Sequence, residues 1–224
     1  MPNGVPPPAT PAPRTKPLLR GVSHEIAAGV SLAGLVALVL LAPGPRARVG
    51  ALVYGASLVA LFSVSALYHR ANWSPRAYLW MRRLDHSAIF LLIAGTFTPL
   101  CLLLGDPRAH AMLAVVWAGA GLGVLRALVW PRAPRMVATA LYLLLGWAAL
   151  PLVPAMYRAL GAGSIALLAA GGLLYSVGAV IYATRRPDPF PRVFGYHEVF
   201  HALVIAAAGL HYAVAAGAVR ALAG

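Results

Sequence analysis

Long apolar runs broken by short polar segments set the pattern of this chain. Seven runs approach the roughly 20 residues that a helix needs to cross a hydrocarbon core about 30 Å thick. They cover 24–42, 51–69, 85–104, 110–130, 136–156, 163–183 and 196–217. The breaks carry Pro, Gly and Arg, as in "APGPRARVG", "GDPRAH", "WPRAPR", "YRALGAG" and "TRRPDPFPRVFG". The pattern predicts an all-α membrane protein with seven transmembrane helices. Pro151 and Pro154 fall near the far end of the fifth run and should kink it there.

Composition narrows the class. The chain has 224 residues, 61% hydrophobic and 10% charged, and a mean hydropathy of +0.78. About 25% charged residues is usual for a soluble domain, so this surface is not made for water. The seven-helix domain is read over 24–217, between a proline-rich tail at 1–23, expected to be disordered, and a short C-terminal tail at 218–224. The tail lacks the apolar core and small-residue cleavage site of a secretory signal, so the first run is expected to be a retained span. A single cysteine, Cys101, excludes an intramolecular disulfide and a thiolate metal cluster.

The formal net charge is +13, which in a soluble protein would suggest nucleic acid. Here the basic residues sit in the breaks, where they act as topology signals and contacts for anionic headgroups. Thirteen of the 18 Lys and Arg gather on one side of the seven-span frame. Arg46, Arg48, Arg108, Arg158 and Arg220 are the exceptions. The positive-inside rule then puts the N-terminus in the cytoplasm and the C-terminus outside, in a cytoplasmic (inner) membrane. Anionic phospholipid is the expected partner, and nucleic acid is not.

Histidines and acids add candidate chemistry. On this frame His69 ends the second run, Asp85 and His86 open the third, and His197, Glu198 and His201 open the last, all on the basic side. His24 and Glu25 open the first run there too. Ionisable groups inside spans cost about 2.5–3.5 kcal/mol each at mid-membrane, so several at one depth need a common reason. His197 and His201 lie one helical turn apart and differ by about 40° around the axis. Both imidazoles can therefore reach one ion. Ser65 shares a face with His69 one turn earlier, and Asp85 arrives from the next helix. Three imidazoles with an open position make a catalytic-zinc arrangement. Alternatives remain for each residue: His69 as an interfacial residue at a span end, His197 and His201 as one of the many H-x-x-x-H pairs that bind nothing, Asp85 as a helix N-cap, His24 and His86 as headgroup-level histidines, His211 as a buried hydrogen-bonded histidine. His211, about 15 Å beyond His201, is too deep for the same first shell, though it can line a lipid cavity.

Three segments, "SALYH" at 65–69, "LDHSAIFLLIAGTFTP" at 84–99 and "HEVFHALVIAAAGLHY" at 197–212, resemble the motifs of the hemolysin III family. That family is the bacterial branch of the progestin and adipoQ receptor family, within a wider group that includes the alkaline ceramidases. The resemblance implies seven helices, a cytoplasmic N-terminus and a zinc ion near the cytoplasmic surface. Carried onto this sequence, the zinc ligands are His69, His197 and His201. Asp85 meets the metal through a water, and Ser65 supports the site. The implied function is hydrolysis of an amide-linked, ceramide-like membrane lipid, with a role in membrane homeostasis. Two other readings stand beside it. One is a non-enzymatic homeostasis or sensor protein with a structural zinc. The other is an intramembrane metallopeptidase that uses the H-E-x-x-H spelling, with Glu198 as base.

Overall fold

A computed structural model gives the fold and describes residues 16–222. Among these residues there is no β-sheet. The helices are α1 (Val22–Leu41), α2 (Pro45–Arg70), α3 (Pro75–Leu104), α4 (Pro107–Val129), α5 (Arg135–Gly146), α6 (Val153–Thr184) and α7 (Tyr196–Ala221), with a 3-10 segment, Trp147–Leu152, joining α5 to α6. Large apolar side chains such as Val30, Leu40, Leu122 and Leu144 point outward, the pattern of a surface facing lipid. The protein is a multi-pass membrane protein.

Six helical stretches are long and apolar enough to cross a bilayer, against the seven expected runs. The difference lies in Arg135–Thr184, which is continuous as a 50-residue stretch. That stretch is not straight. Pro151 lies inside the 3-10 segment, where the missing N–H interrupts the α ladder. Gly161, with φ 77° and ψ 171°, then breaks α6 in a conformation open essentially only to glycine. Trp147 Nε1 donates to Ser176 Oγ at 3.0 Å, although 29 residues of straight helix would separate them by about 43 Å. The chain therefore doubles back at Gly161.

Helix starts follow the capping chemistry of their sequences. Ser74 and Asp106 each accept an N–H three residues on, from Ala77 and Ala109, with Pro75 and Pro107 in the first turn. Because Ser74 starts α3, Asp85 lies ten residues inside a helix and is not an N-cap. At α7, Asp188 Oδ1 accepts from Tyr196 N and Glu198 Oε2 from Gly195 N, both at 2.8 Å. Of the tail expected over 1–23, residues 1–15 lie outside the described residues. The next residues pair with the loop before α7: Leu18 N donates to Arg192 O and Leu19 N to Val193 O. Helix α3 contacts α2, α4, α5, α6 and α7, and α7 packs on α1, α2, α3 and α6. These two central helices carry Asp85, His197 and His201.

Candidate metal centre

His69 ends α2, while His197 and His201 occupy the first two turns of α7. The packing of α2 on α7 brings together imidazoles 128 residues apart in sequence. Their ligand atoms all lie within 4.8 Å of one another, and all three side chains are buried. His69 Nε2 and His197 Nε2 are 3.0 Å apart. The ring centroids are 4.6 Å apart for His69 and His197, 4.4 Å for His197 and His201, and 5.2 Å for His69 and His201.

This arrangement fits a metal ion. Two neutral imidazoles that face each other through Nε2 need a proton or a cation between their lone pairs. Tetrahedral ligands about 2.0–2.1 Å from zinc stand about 3.3 Å from one another, close to the separation seen. His201 Nδ1 is buried without a hydrogen-bond partner, a cost that coordination or a held water would remove. Three imidazole nitrogens suit zinc, and also copper or nickel.

The remaining predicted residues lie around the triad. Asp85 and Ser65 line the same cavity as the three histidines. Ser65 Oγ is 2.8 Å from His24 Nδ1 and faces the Asp85 carboxylate. His24 is buried within the protein and stacks on His201 with centroids 3.7 Å apart and planes 8° from parallel. His86 is likewise drawn inward, its Nδ1 donating to Arg82 O at 2.8 Å while Tyr182 reaches its Nε2 at 3.4 Å.

Glu198, the glutamate of the H-E-x-x-H spelling, turns away from the base role. One carboxylate oxygen pairs with Arg20 and the other caps Gly195. The carboxylate is 2% exposed, so both of its oxygens are committed inside the protein. Sequence reasoning missed Arg20 and Lys16, which it placed in the tail. Lys16 Nζ donates to Ala71 O at 3.3 Å, beside the end of α2. The Gly195-to-Glu198 spacing at a helix start was the available signal for the capping role.

From the triad a largely apolar cavity of about 610 Å³ runs between the helices, as far as His211. Among the described residues, Lys16, Arg20, Arg82 and Arg135 stand in its lining at the triad end, with Asp85 the one acid there. His211 both lines this cavity and hydrogen-bonds, its Nε2 donating to Leu168 O at 3.2 Å.

Fold and site together define a class: helical multi-pass membrane proteins with a buried three-histidine site, able to hold a metal ion, opening on an intramembrane cavity. Residues 13–212 match the model of the family described as "Haemolysin-III related". The chain belongs to the hemolysin III family. It is 32% identical to "Hemolysin-3" of Bacillus cereus over 199 residues, covering 87% of this chain and 88% of that one. It is 28% identical to the "Monocyte to macrophage differentiation factor" of Homo sapiens over 170 residues, 74% of this chain and 68% of that one. A shorter match, 32% over 151 residues, relates it to the "Adiponectin receptor protein" of Drosophila melanogaster, 58% of this chain and 33% of that one. The relation to the progestin and adipoQ receptor family thus stands.

Proposed function

We propose that the protein is a zinc-dependent hydrolase that cleaves the amide bond of a ceramide-like membrane lipid and so adjusts membrane composition. The observation that carries this reading is the opening of the imidazole triad into the long apolar cavity. A purely structural zinc is usually closed by four protein ligands, whereas this triad leaves room beside it. In this reading the chain crosses the inner membrane seven times, with the doubling at Gly161 separating the fifth crossing from the sixth. The N-terminus is cytoplasmic, and the basic mouth meets anionic phospholipid.

His69, His197 and His201 would hold the zinc, which would supply Lewis acidity, making a water nucleophilic near neutral pH and polarising the amide carbonyl. Asp85 takes the proton that water loses as its oxygen attacks the carbonyl carbon. It then delivers that proton to the amine nitrogen as the C–N bond breaks, so the products are a fatty acid and a free amine. Ser65, fixed by His24, orients the Asp85 carboxylate. The apolar walls hold the acyl chain and keep bulk water from the reacting bond.

The test is turnover of labelled ceramides and other N-acyl lipids by purified, zinc-loaded protein. Wild type should release fatty acid, and Asp85→Asn should lose activity by about 100-fold or more while keeping its metal and its fold. No turnover by the fully loaded wild type would contradict the proposal. A second reading, zinc as a staple between α2 and α7, draws on the triad's joining of those helices. It predicts that Asp85→Asn supports the cell as wild type does.

A further inference from the structure

The deep end of the cavity holds polar atoms that an ordinary saturated acyl chain would leave unsatisfied. His211 and Tyr175 both line it, their rings edge to face with centroids 5.4 Å apart. The Leu168 carbonyl can only accept, so the proton of the neutral His211 ring is on Nε2 and Nδ1 bears a lone pair. Gly171 admits the ring against α6, because a methyl group there would overlap Cδ2 and Nε2. That bond of the imidazole faces α6, and Nδ1 is the vertex opposite it. Among the described residues, no protein group hydrogen-bonds His211 Nδ1 or the Tyr175 hydroxyl. Trp147 and Ser176, in the same lining, satisfy one another, and Ser176 also donates to Gly172 O. An acceptor and a phenol thus line the cavity without protein partners, among largely apolar walls, where a polar group on a ligand finds few other hydrogen-bonding atoms.

We infer that His211 and Tyr175 form a hydroxyl-recognition subsite, and that the preferred lipid carries a hydroxyl deep in its acyl chain. The ligand hydroxyl donates to His211 Nδ1 and accepts from the Tyr175 O–H. Its position follows from the helix. Ten residues of α7 separate His211 from His201, about 15 Å along the axis, and an extended acyl chain spans that distance with roughly a dozen carbons. This inference rests on the proposal that an N-acyl lipid occupies the cavity with its amide at the triad, but it concerns binding and not turnover.

Equilibrium binding to the purified full chain tests it, with radiolabelled sphingoid amides of stearic, 3-hydroxystearic and 12-hydroxystearic acid. The 12-hydroxy lipid should bind about 10-fold more tightly than the other two, as expected for one hydrogen-bonded pair in an apolar site. His211→Leu and Tyr175→Phe should each abolish most of that preference by weakening 12-hydroxy binding, and neither should weaken stearoyl binding. Equal affinities for the three lipids in wild type, or binding of none, would overturn the subsite without recourse to any variant. Selective binding of the 12-hydroxy lipid without hydrolysis would uphold the subsite and overturn the enzymatic reading alone.

Discussion

Glu198 shows how one side chain's partners decide between chemistries that share a spelling. A metallopeptidase base needs a free carboxylate oxygen near the attacking water. Here one oxygen is paired with Arg20 and the other caps α7, so the residue ties the segment before α1 to the start of the metal-bearing helix. Glu198→Gln would leave the Arg20 guanidinium without its countercharge. Arg20 keeps some solvent contact, which places the cost at about 2 kcal/mol, below that of a fully buried pair. The expected outcome is a lower melting temperature in detergent, with metal content and turnover per folded molecule near wild type. A peptidase base would give the reverse, with stability kept and activity gone. His24 makes a related point. Its contacts with Ser65 and His201 place a fourth imidazole beside the triad, a role that its position at the start of an apolar run did not disclose.

At the scale of elements, the α5–α6 stretch carries the topology. Its reversal at Gly161 separates Arg158 from Arg185, and the proposed seven crossings put those two residues on opposite faces of the membrane. Cys101 is buried, so single cysteines can be read with little background. Arg158→Cys should react with a membrane-impermeant maleimide in intact cells, and Arg185→Cys only after permeabilisation. Labelling of both from the same face would contradict the seven-span arrangement. The sequence made most of the helices legible, because runs of about 20 apolar residues have few alternatives in lipid. It hid the first ten residues of α3, whose "PRAYLWMRRL" reads as a polar break until Ser74 and Pro75 are taken as cap and first turn. It also hid the continuity of Arg135–Thr184, since hydropathy reports apolar length and not the backbone angle at one glycine. Helical periodicity made the His197 and His201 pair legible and depth made His69 a candidate beside it, while the resemblance to the hemolysin III motifs singled out the three together. The partners Arg20, His24 and Tyr175 were not, since each depends on a contact between helices that one-dimensional spacing does not encode.

The whole molecule joins three features: a helical bundle facing lipid, a buried imidazole triad at its basic end, and an apolar cavity leading inward from that triad. The bundle explains why a reaction on a lipid amide could proceed away from bulk water, and the cavity explains where the acyl chain would lie. Both serve the triad, whose capacity to hold a metal underlies the proposed chemistry. The most direct test is therefore the metal content of gently purified wild type, measured by mass spectrometry beside His197→Ala and Asp85→Asn. About one zinc per chain is expected in wild type and Asp85→Asn, and a large loss in His197→Ala, where two imidazoles remain of the three. A wild-type protein without stoichiometric metal, or a His197→Ala variant that keeps it in full, would rule out the triad as a zinc site.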